Sequence, residues 1–242
     1  MTEGIVSTLE GAVWHIAIDR PSKRNALTMP MFRALAESLA LAESHAGVKA
    51  VLVSGRGSSF SAGHDLRAFD QWPQGPDGPV PAFLHALAAL RKPLVVALHG
   101  SAVGIGATLL LHADWVLAAP RTELRLPFVD LGIAPEAASS LLLAQAVGRL
   151  RAKQLLLGGE SFSSEQACAW GLVTELVPAP ELPAAAMKRA NDLARKDAAI
   201  VGLIKEWMTP REAIHRRIDE EVEAINGALR KRQAEEQNGH TA

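Results

Sequence analysis

The 242-residue sequence predicts an α/β protein, and three observations carry that prediction. Compact apolar runs recur at Val51-Leu-Val53, Leu94-Val-Val-Ala-Leu98 and Trp115-Val-Leu-Ala118, each about as long as a strand buried on both faces of a parallel sheet. The stretches between them have helix-forming composition, so strands and helices alternate along the chain. A content of 48% hydrophobic and 21% charged residues is enough for a packed core of this size.

The elements follow in order. Val13–Ile18 places Trp14, Ile16 and Ile18 on one face at period two, which reads as a strand with one wetter side. A turn follows at Arg20-Pro21-Ser22. From Thr28 to about His45, Met31, Phe32, Leu35 and Leu39 fall at helical spacing, with Thr28 as N-cap and Pro30 in the first turn. The segment from Gln71 to Pro81 is dense in Gly and Pro and reads as an irregular cover over a site. Ala137 to Val147 reads as a helix. After Pro183 the composition turns helical, and Ile214, Ile218, Val222, Ile225 and Leu229 form a stripe that packs on its own core or also makes a subunit interface. The division expected is a core over 1–182 and a C-terminal helical region over 183–242, polar from Gln233 onward. No sequence repeat has a clear period.

Charge and cysteine content remove several function classes. With 25 basic and 26 acidic side chains the formal net charge is −1, so no global field draws in nucleic acid or an anionic membrane. One cysteine, Cys168, forms no intramolecular disulfide and lacks the spacing of a zinc site. The N-terminal residues lack the pattern of a signal peptide, and no apolar run is long enough to span a bilayer. The expected location is the cytoplasm.

Two segments place a strand before a small-residue turn and a helix: Val51-Leu-Val-Ser-Gly-Arg-Gly-Ser-Ser-Phe-Ser-Ala-Gly-His-Asp-Leu66 and Leu94-Val-Val-Ala-Leu-His-Gly-Ser-Ala-Val-Gly-Ile-Gly-Ala-Thr108. Small residues admit a ligand to the main chain, and a helix start offers free N–H groups to negative charge. Gly100-x-x-x-Gly104-x-Gly106 alone also resembles the dinucleotide turn of short-chain dehydrogenases, which would imply a nicotinamide cofactor. Its mid-chain place and the absence of tyrosine, the usual proton donor of those enzymes, argue against it.

Taken with Arg20-Pro-Ser-Lys-Arg-Asn-Ala-Leu27 and Ala167-Cys-Ala-Trp-Gly-Leu-Val173, these turns resemble the crotonase superfamily, the enoyl-CoA hydratase/isomerase family, over roughly residues 5–180. The resemblance implies the ClpP/crotonase-like fold of repeated ββα units, with a C-terminal helical region that trimerises, and so a homotrimer or hexamer. It implies an acyl-CoA thioester as substrate, with coenzyme A as part of that substrate and neither a separate cofactor nor a metal. It places an oxyanion hole at the backbone N–H groups of His64 and Ile105. Such fixed donors stabilise the enolate formed when a proton leaves the carbon beside a thioester. For the CoA moiety it suggests Arg24 near the ribose phosphate, main-chain groups of Ala62 and Gly63, with Gly104 at the second turn, and Arg67 near the phosphates. The family's C-terminal Ala-Phe…Lys-Arg pattern has no counterpart here.

The resemblance also bears on the reaction. The two positions at which hydratases of the family carry glutamates are Thr108 and Phe128, and neither can act as a carboxylate base. Leu131-Gly-Ile-Ala-Pro-Glu136-Ala-Ala-Ser-Ser140 instead resembles the segment of Δ3,Δ2-enoyl-CoA isomerases in which one glutamate follows a Leu-Gly turn. Glu136 is thus the expected base, and its apolar neighbours Ile133, Ala134, Pro135, Ala137 and Ala138 would desolvate and strengthen it. Without the resemblance Glu136 reads as a helix-start residue favoured by the dipole. Asp130 is a candidate assisting acid, and the His64 imidazole a candidate proton shuttle. Alternatives are a hydratase or other lyase that recruits Asp130 or Glu136 to a water, and a CoA-binding protein without efficient catalysis. The acyl pocket depends on how Trp72, Phe83, Phe128 and Trp170 assemble.

Overall fold

In a computed structural model, which describes residues 4–239, the chain runs β1 (Ile5–Glu10), β2 (Val13–Ile18), α1 (Met29–Ser44), β3 (Ala50–Gly55), α2 (Pro79–Ala89), β4 (Leu94–Leu98), β5 (Ser101–Val103), α3 (Ile105–Thr108), β6 (Trp115–Ala118), β7 (Glu123–Arg125), α4 (Ser139–Val147), α5 (Arg149–Gly158), β8 (Phe162–Ser163), α6 (Ser164–Ala169), β9 (Glu175–Leu176), α7 (Leu182–Ala194), α8 (Ala198–Met208) and α9 (Arg211–Gly239). The three apolar runs become β3, β4 and β6, adjacent and parallel, with Val53 beside Val96 and Val96 beside Val116. They form the centre of a sheet ordered β1-β2-β3-β4-β6-β9, in which only the β1–β2 hairpin is antiparallel. A smaller sheet, β5-β7-β8, branches off after β4. This is the mixed α/β architecture expected from the sequence, closed by a long C-terminal helix.

Both faces of the large sheet are covered, which explains why its central strands are apolar without alternation. On one face Ile16, Val51, Val53, Val96 and Val116 join the main core with α1, α2 and the Ile214–Leu229 stripe of α9. On the other, Val13, Leu52, Val95 and Leu117 pack under Leu182, Ala186 and Ala190 of α7. The wetter side expected for β2 is therefore partly wrong: Val13 is covered by α7, and the only polar residue on that side, His15, bonds the Ser54 hydroxyl at 2.8 Å.

Helix boundaries move for local reasons. α1 starts after an extended Thr28 with Pro30 in its first turn, but the Thr28 side chain makes no capping bond. α4 begins at Ser139, not at Ala137, because Ala137 and Ala138 hold left-handed backbone angles, with φ of 61° and 53°. The Gly/Pro-rich segment follows a 3₁₀ helix over Leu66–Gln71, is irregular as far as Gly78, and ends in the first turn of α2. α9 ties it down: Asn226 accepts from the Gln74 N–H at 2.8 Å and donates to the Gln74 carbonyl at 2.9 Å.

α8 differs from its neighbours. None of its residues is buried, and Ile200, Ile204, Trp207 and Met208 stand on the surface, Trp207 at 76% exposure. It is held by Lys205, whose ammonium donates to the Lys92 carbonyl and pairs with Asp114, the residue that also accepts from the Leu94 N–H. Among the described residues no helix is long and apolar enough to cross a membrane, and no group of His, Cys, Asp or Glu has the arrangement of a metal site.

Candidate active site

The site is assembled from three stretches far apart in sequence, and the first is a tie rather than a reactive segment. Asn25, fully buried with φ of 57°, accepts from the Arg20 N–H at 2.8 Å and donates to the carbonyls of Arg56 at 2.8 Å and Ser59 at 2.7 Å. Each buried amide bond of this kind is worth about 1 kcal/mol net, and leaving its partners unpaired would cost more. Arg20 in turn donates to the Ala26 carbonyl and pairs with Asp65 at 2.7 Å, and that hydrogen bond holds the Asp65 carboxyl below the usual range. Leu27 then bridges to His64 as a parallel pair, donating to the Gly63 carbonyl and accepting from the Asp65 N–H. In such a bridge the His64 N–H itself points away from Leu27.

The two glycine turns meet face to face. Ser61 bridges to Ala102 of β5, so the first turn runs alongside the second. Gly63 has φ of +83°, and a Cβ placed there would lie 2.6 Å from the Val103 carbonyl oxygen and 3.8 Å from the Gly104 Cα. Gly104 has φ of 53° and ψ of −122°, a region closed to side chains, and it turns the chain into α3. Its carbonyl accepts from Ala107 and Thr108, which leaves Ile105 as the first helical residue with an N–H that has no acceptor within the helix. Two unpaired amides, His64 and Ile105, thus follow directly on two glycines in contact. The Ile105 side chain is part of the hydrophobic core, so it is the amide that faces the turn.

Glu136 closes the site. Its carboxyl is buried, with 3% side-chain exposure against 8% for His64, and Oε2 lies 2.9 Å from His64 Nε2. Toward a carboxylate, Nε2–H donates. The other carboxyl oxygen, Oε1, is buried without a partner and lies 3.8 Å from where a Cβ on Gly104 would stand. The imidazole is gripped between Phe69, stacked at 5.2 Å, and Phe32 at 4.6 Å, with Trp72 at 6.3 Å. One carboxyl oxygen is therefore fixed by the histidine while the second is turned toward the paired glycine turns. Glu136 precedes α4 by three residues, so it is not a helix-start residue but part of a strained turn.

Two residues not singled out in the sequence hold that turn. His112 donates from Nε2 to the Ala137 carbonyl at 2.8 Å, and burial pulls its pKa down to about 4, so it is a neutral donor at physiological pH. Glu221 of α9 accepts from the Ser140 N–H at 3.0 Å and the Ser140 hydroxyl at 2.6 Å. A signal for Glu221 existed: Ile214, Ile218, Glu221 and Ile225 share one helical spacing, which puts a carboxyl in an apolar stripe. For His112 there was none.

The remaining candidates divide. Ala62 is half-buried and donates to the Arg24 carbonyl at 2.9 Å, while the Arg24 and Arg67 side chains are exposed beside the first turn. Asp130 is not brought to Glu136. It is surface-exposed, paired with Arg125 at 3.0 Å, and its carboxyl would contact a side chain at Gly159. Thr108 and Phe128 are buried, and the Thr108 hydroxyl has no partner. Trp72 and Phe83 line the same aromatic group as His64 and Phe32, whereas Trp170 packs on Phe162 with Arg151 over its ring. A cavity of about 330 Å³ bounded by Leu66, Phe69, Leu131, Ile133, Leu229 and Arg232 opens beside Phe69, the ring stacked on His64.

The chain as a whole resembles known proteins in sequence and in fold. The sequence profile described as enoyl-CoA hydratase/isomerase matches residues 8–241. The 1,2-epoxyphenylacetyl-CoA isomerase of Escherichia coli is 34% identical over 220 residues, covering 88% of this chain and 84% of that protein. Enoyl-CoA delta isomerase 2 of Rattus norvegicus is 32% identical over 232 residues, 93% of this chain but 58% of that protein. Among solved structures, OdaA of Pseudomonas aeruginosa superposes with a TM-score of 0.90 at 37% identity, covering 94% of each chain. An enoyl-CoA hydratase/isomerase from Pseudoalteromonas atlantica superposes with a TM-score of 0.90 at 33% identity, covering 94% of this chain and 92% of that one.

Proposed function

The chain belongs to the enoyl-CoA hydratase/isomerase family and is a crotonase-type enzyme of acyl-CoA thioesters, and within that family we propose that it is a Δ3,Δ2-enoyl-CoA isomerase with Glu136 as its base. The observation that carries the reading is the state of Glu136: one oxygen anchored by His64, the other buried, unpartnered and turned toward the paired glycine turns. The His64 and Ile105 amides would receive the thioester oxygen. Glu136 Oε1 removes a proton from C2 of the 3-enoyl chain, and the C2–H electron pair passes through C1 onto the thioester oxygen to give a dienolate conjugated with C3=C4. The carboxylic acid then returns the proton to C4 as the carbonyl re-forms and the double bond settles between C2 and C3. Proton and charge both balance, and no water takes part. Each amide aimed at the developing oxyanion is worth about 2.7–4 kcal/mol in comparable sites. Burial keeps the carried proton from exchanging with solvent between the two carbons.

A base at Glu136 together with Thr108 and Phe128 at the hydratase positions supports isomerisation over water addition. The free Oε1 of Glu136 also supports a second reading, in which that oxygen, with its neighbour held by His64, activates a water and the enzyme hydrates a 2-enoyl-CoA. Arg24 and Arg67 are proposed as the phosphate-binding side chains of the CoA site. The apolar face of α8 supports a homotrimer or hexamer. With one cysteine, Cys168, half-buried and not bridged, the reading includes a cytoplasmic setting.

The deciding experiment incubates the protein separately with a 3-enoyl-CoA and a trans-2-enoyl-CoA, following conjugated thioester by absorbance and products by chromatography. Conversion of the first without hydration of the second is the expected result. Hydration of the second alone transfers the assignment to the hydratase reading, and inactivity toward both removes the isomerase.

A further inference from the structure

Among the described residues the buried carboxyl groups are Glu136 and Glu221, and the proposed reaction uses only the first. They bracket one turn. Glu136 begins it, Ala137 and Ala138 give it two consecutive left-handed residues, and Ser140, at its end, is where Glu221 is attached. A backbone of this kind persists only where its surroundings over-determine it. Glu221 supplies that from α9 and His112 from the opposite side through the Ala137 carbonyl. Glu221 Oε1 takes both Ser140 donors, and Arg217, one turn earlier on α9, donates to the same Ser140 hydroxyl at 2.9 Å. Oε2 is buried without any partner.

We propose that Glu221 is a positioning residue for Glu136: as a neutral carboxylic acid it holds the Glu136–Ser140 turn, and its ionisation ends activity on the alkaline side by putting a second buried negative charge beside the base. This rests on Glu136 being the base. The charged and titratable groups around Glu221 are Glu136 from the turn, with His64 behind it, His112 from beyond the turn, and Arg217 on its own helix. His112 is neutral, and Arg217 reaches Glu221 only through the Ser140 hydroxyl, so nothing of opposite charge meets Oε2 directly. Burial raises the Glu221 pKa to about 7 against the opposing Ser140 bonds and a main-chain contribution from Ala138, with a smaller repulsion from Glu136 adding to it. Ionisation would leave Oε2 charged and unsolvated, and the cheapest relief is to withdraw the side chain from Ser140, which frees the turn.

The test measures kcat and KM of wild type, Glu221→Gln and Ser140→Ala from pH 5 to pH 9, with NMR of glutamate labelled at the carboxyl carbon as a second readout. In the wild type kcat should fall above a midpoint near 7, about tenfold per pH unit. Glu221→Gln, which keeps an accepting oxygen and cannot ionise, should hold its kcat through the alkaline range with KM unchanged. A purely structural residue would lower kcat by one factor at every pH. Ser140→Ala leaves α9 intact and removes a donor to the ionised form, so its alkaline midpoint should move upward. Coincident wild-type and Glu221→Gln profiles, or an unmoved midpoint in Ser140→Ala, overturn the proposal. If no enoyl-CoA is turned over at all, the functional reading has failed, and the spectra still decide on Glu221. A glutamate signal that titrates near neutrality in the wild type and is missing from Glu221→Gln supports it, and its absence from the wild type overturns it.

Discussion

The burial of the Glu221 carboxyl has a thermodynamic consequence that does not depend on any substrate. Its carboxyl titrates at about 7 in the folded protein against 4.5 for an ordinary glutamate. Between these values the unfolded chain has lost the proton and the folded chain still holds it, so rising pH favours unfolding across that window. At ~1.4 kcal/mol per pH unit the native state surrenders about 3 kcal/mol between pH 4.5 and 7, with no further loss above. Glu221→Gln is neutral throughout and has no such slope. Urea unfolding followed by tryptophan fluorescence, at fixed protein concentration and at half-unit steps from pH 5 to pH 8, should show the variant gaining on the wild type by about 2–3 kcal/mol as pH rises. His112 has the opposite sense, since burial lowers its pKa from 6.5 to about 4 and stability falls as pH drops through that range. Both chains carry His112, so it cancels in the difference. A difference that stays flat from pH 5 to pH 8 refutes the reasoning, because it would mean that Glu221 is ionised in the folded protein as readily as in the unfolded chain.

Glu136→Gln should lower isomerisation by ~10²–10⁴-fold while leaving thioester affinity within a few-fold, measured by steady-state kinetics and calorimetric binding; undiminished turnover removes Glu136 as base. Gly63→Ala forces a side chain onto φ of +83° and against the Val103 carbonyl, so it should lose about 2 kcal/mol or more of stability together with most of the activity. His112→Ala leaves the Ala137 carbonyl without its donor, which should cost about 1–3 kcal/mol and reduce kcat more than it raises KM. Ile204→Glu with Trp207→Glu should turn a trimer into a monomer by light scattering, and a wild type that is already monomeric refutes the assembly.

Much of the fold was legible because it depends on short-range patterning. The runs at 51–53, 94–98 and 115–118 read as strands covered on both faces, and the Ile214–Leu229 stripe as a helix packed on its own core or also at a subunit interface; in the structure the stripe joins the main core. The polarity of β2 was misread because the helix that covers its second face, α7, lies more than 160 residues later in the chain. Period two reports burial on one face and says nothing of what arrives at the other. α4 starts later than propensity suggests because Ala137 and Ala138, both good helix formers, are bent into left-handed angles by contacts from His112 and α9. At the site, Glu136 and His64 were legible from motifs, but their hydrogen bond joins residues 72 positions apart. Asp130 shows the converse error: nearness in sequence suggested a partner for Glu136, and the chain instead turns it outward to Arg125.

The placement of charge ties these features together. In the proposed reaction the negative charge would move from the Glu136 carboxylate to the thioester oxygen as the C2 proton is taken, so that reaction relocates one charge and creates none. A site built for that can tolerate one anion and is harmed by two, because a second ionised carboxyl would oppose the enolate as strongly as it opposes the base. Thr108 and Phe128 are consistent with this limit, since carboxyls at those positions would add charge where no water needs to be held. Glu221 is consistent with it only while protonated. The left-handed turn therefore calls for a holder that hydrogen-bonds like a carboxyl and stays uncharged on the acid side of neutrality, and a glutamate buried on α9 with one oxygen on Ser140 and the other left dry meets that requirement. A lysine or arginine in its place could not accept from the Ser140 N–H, and a leucine would leave that amide without its acceptor.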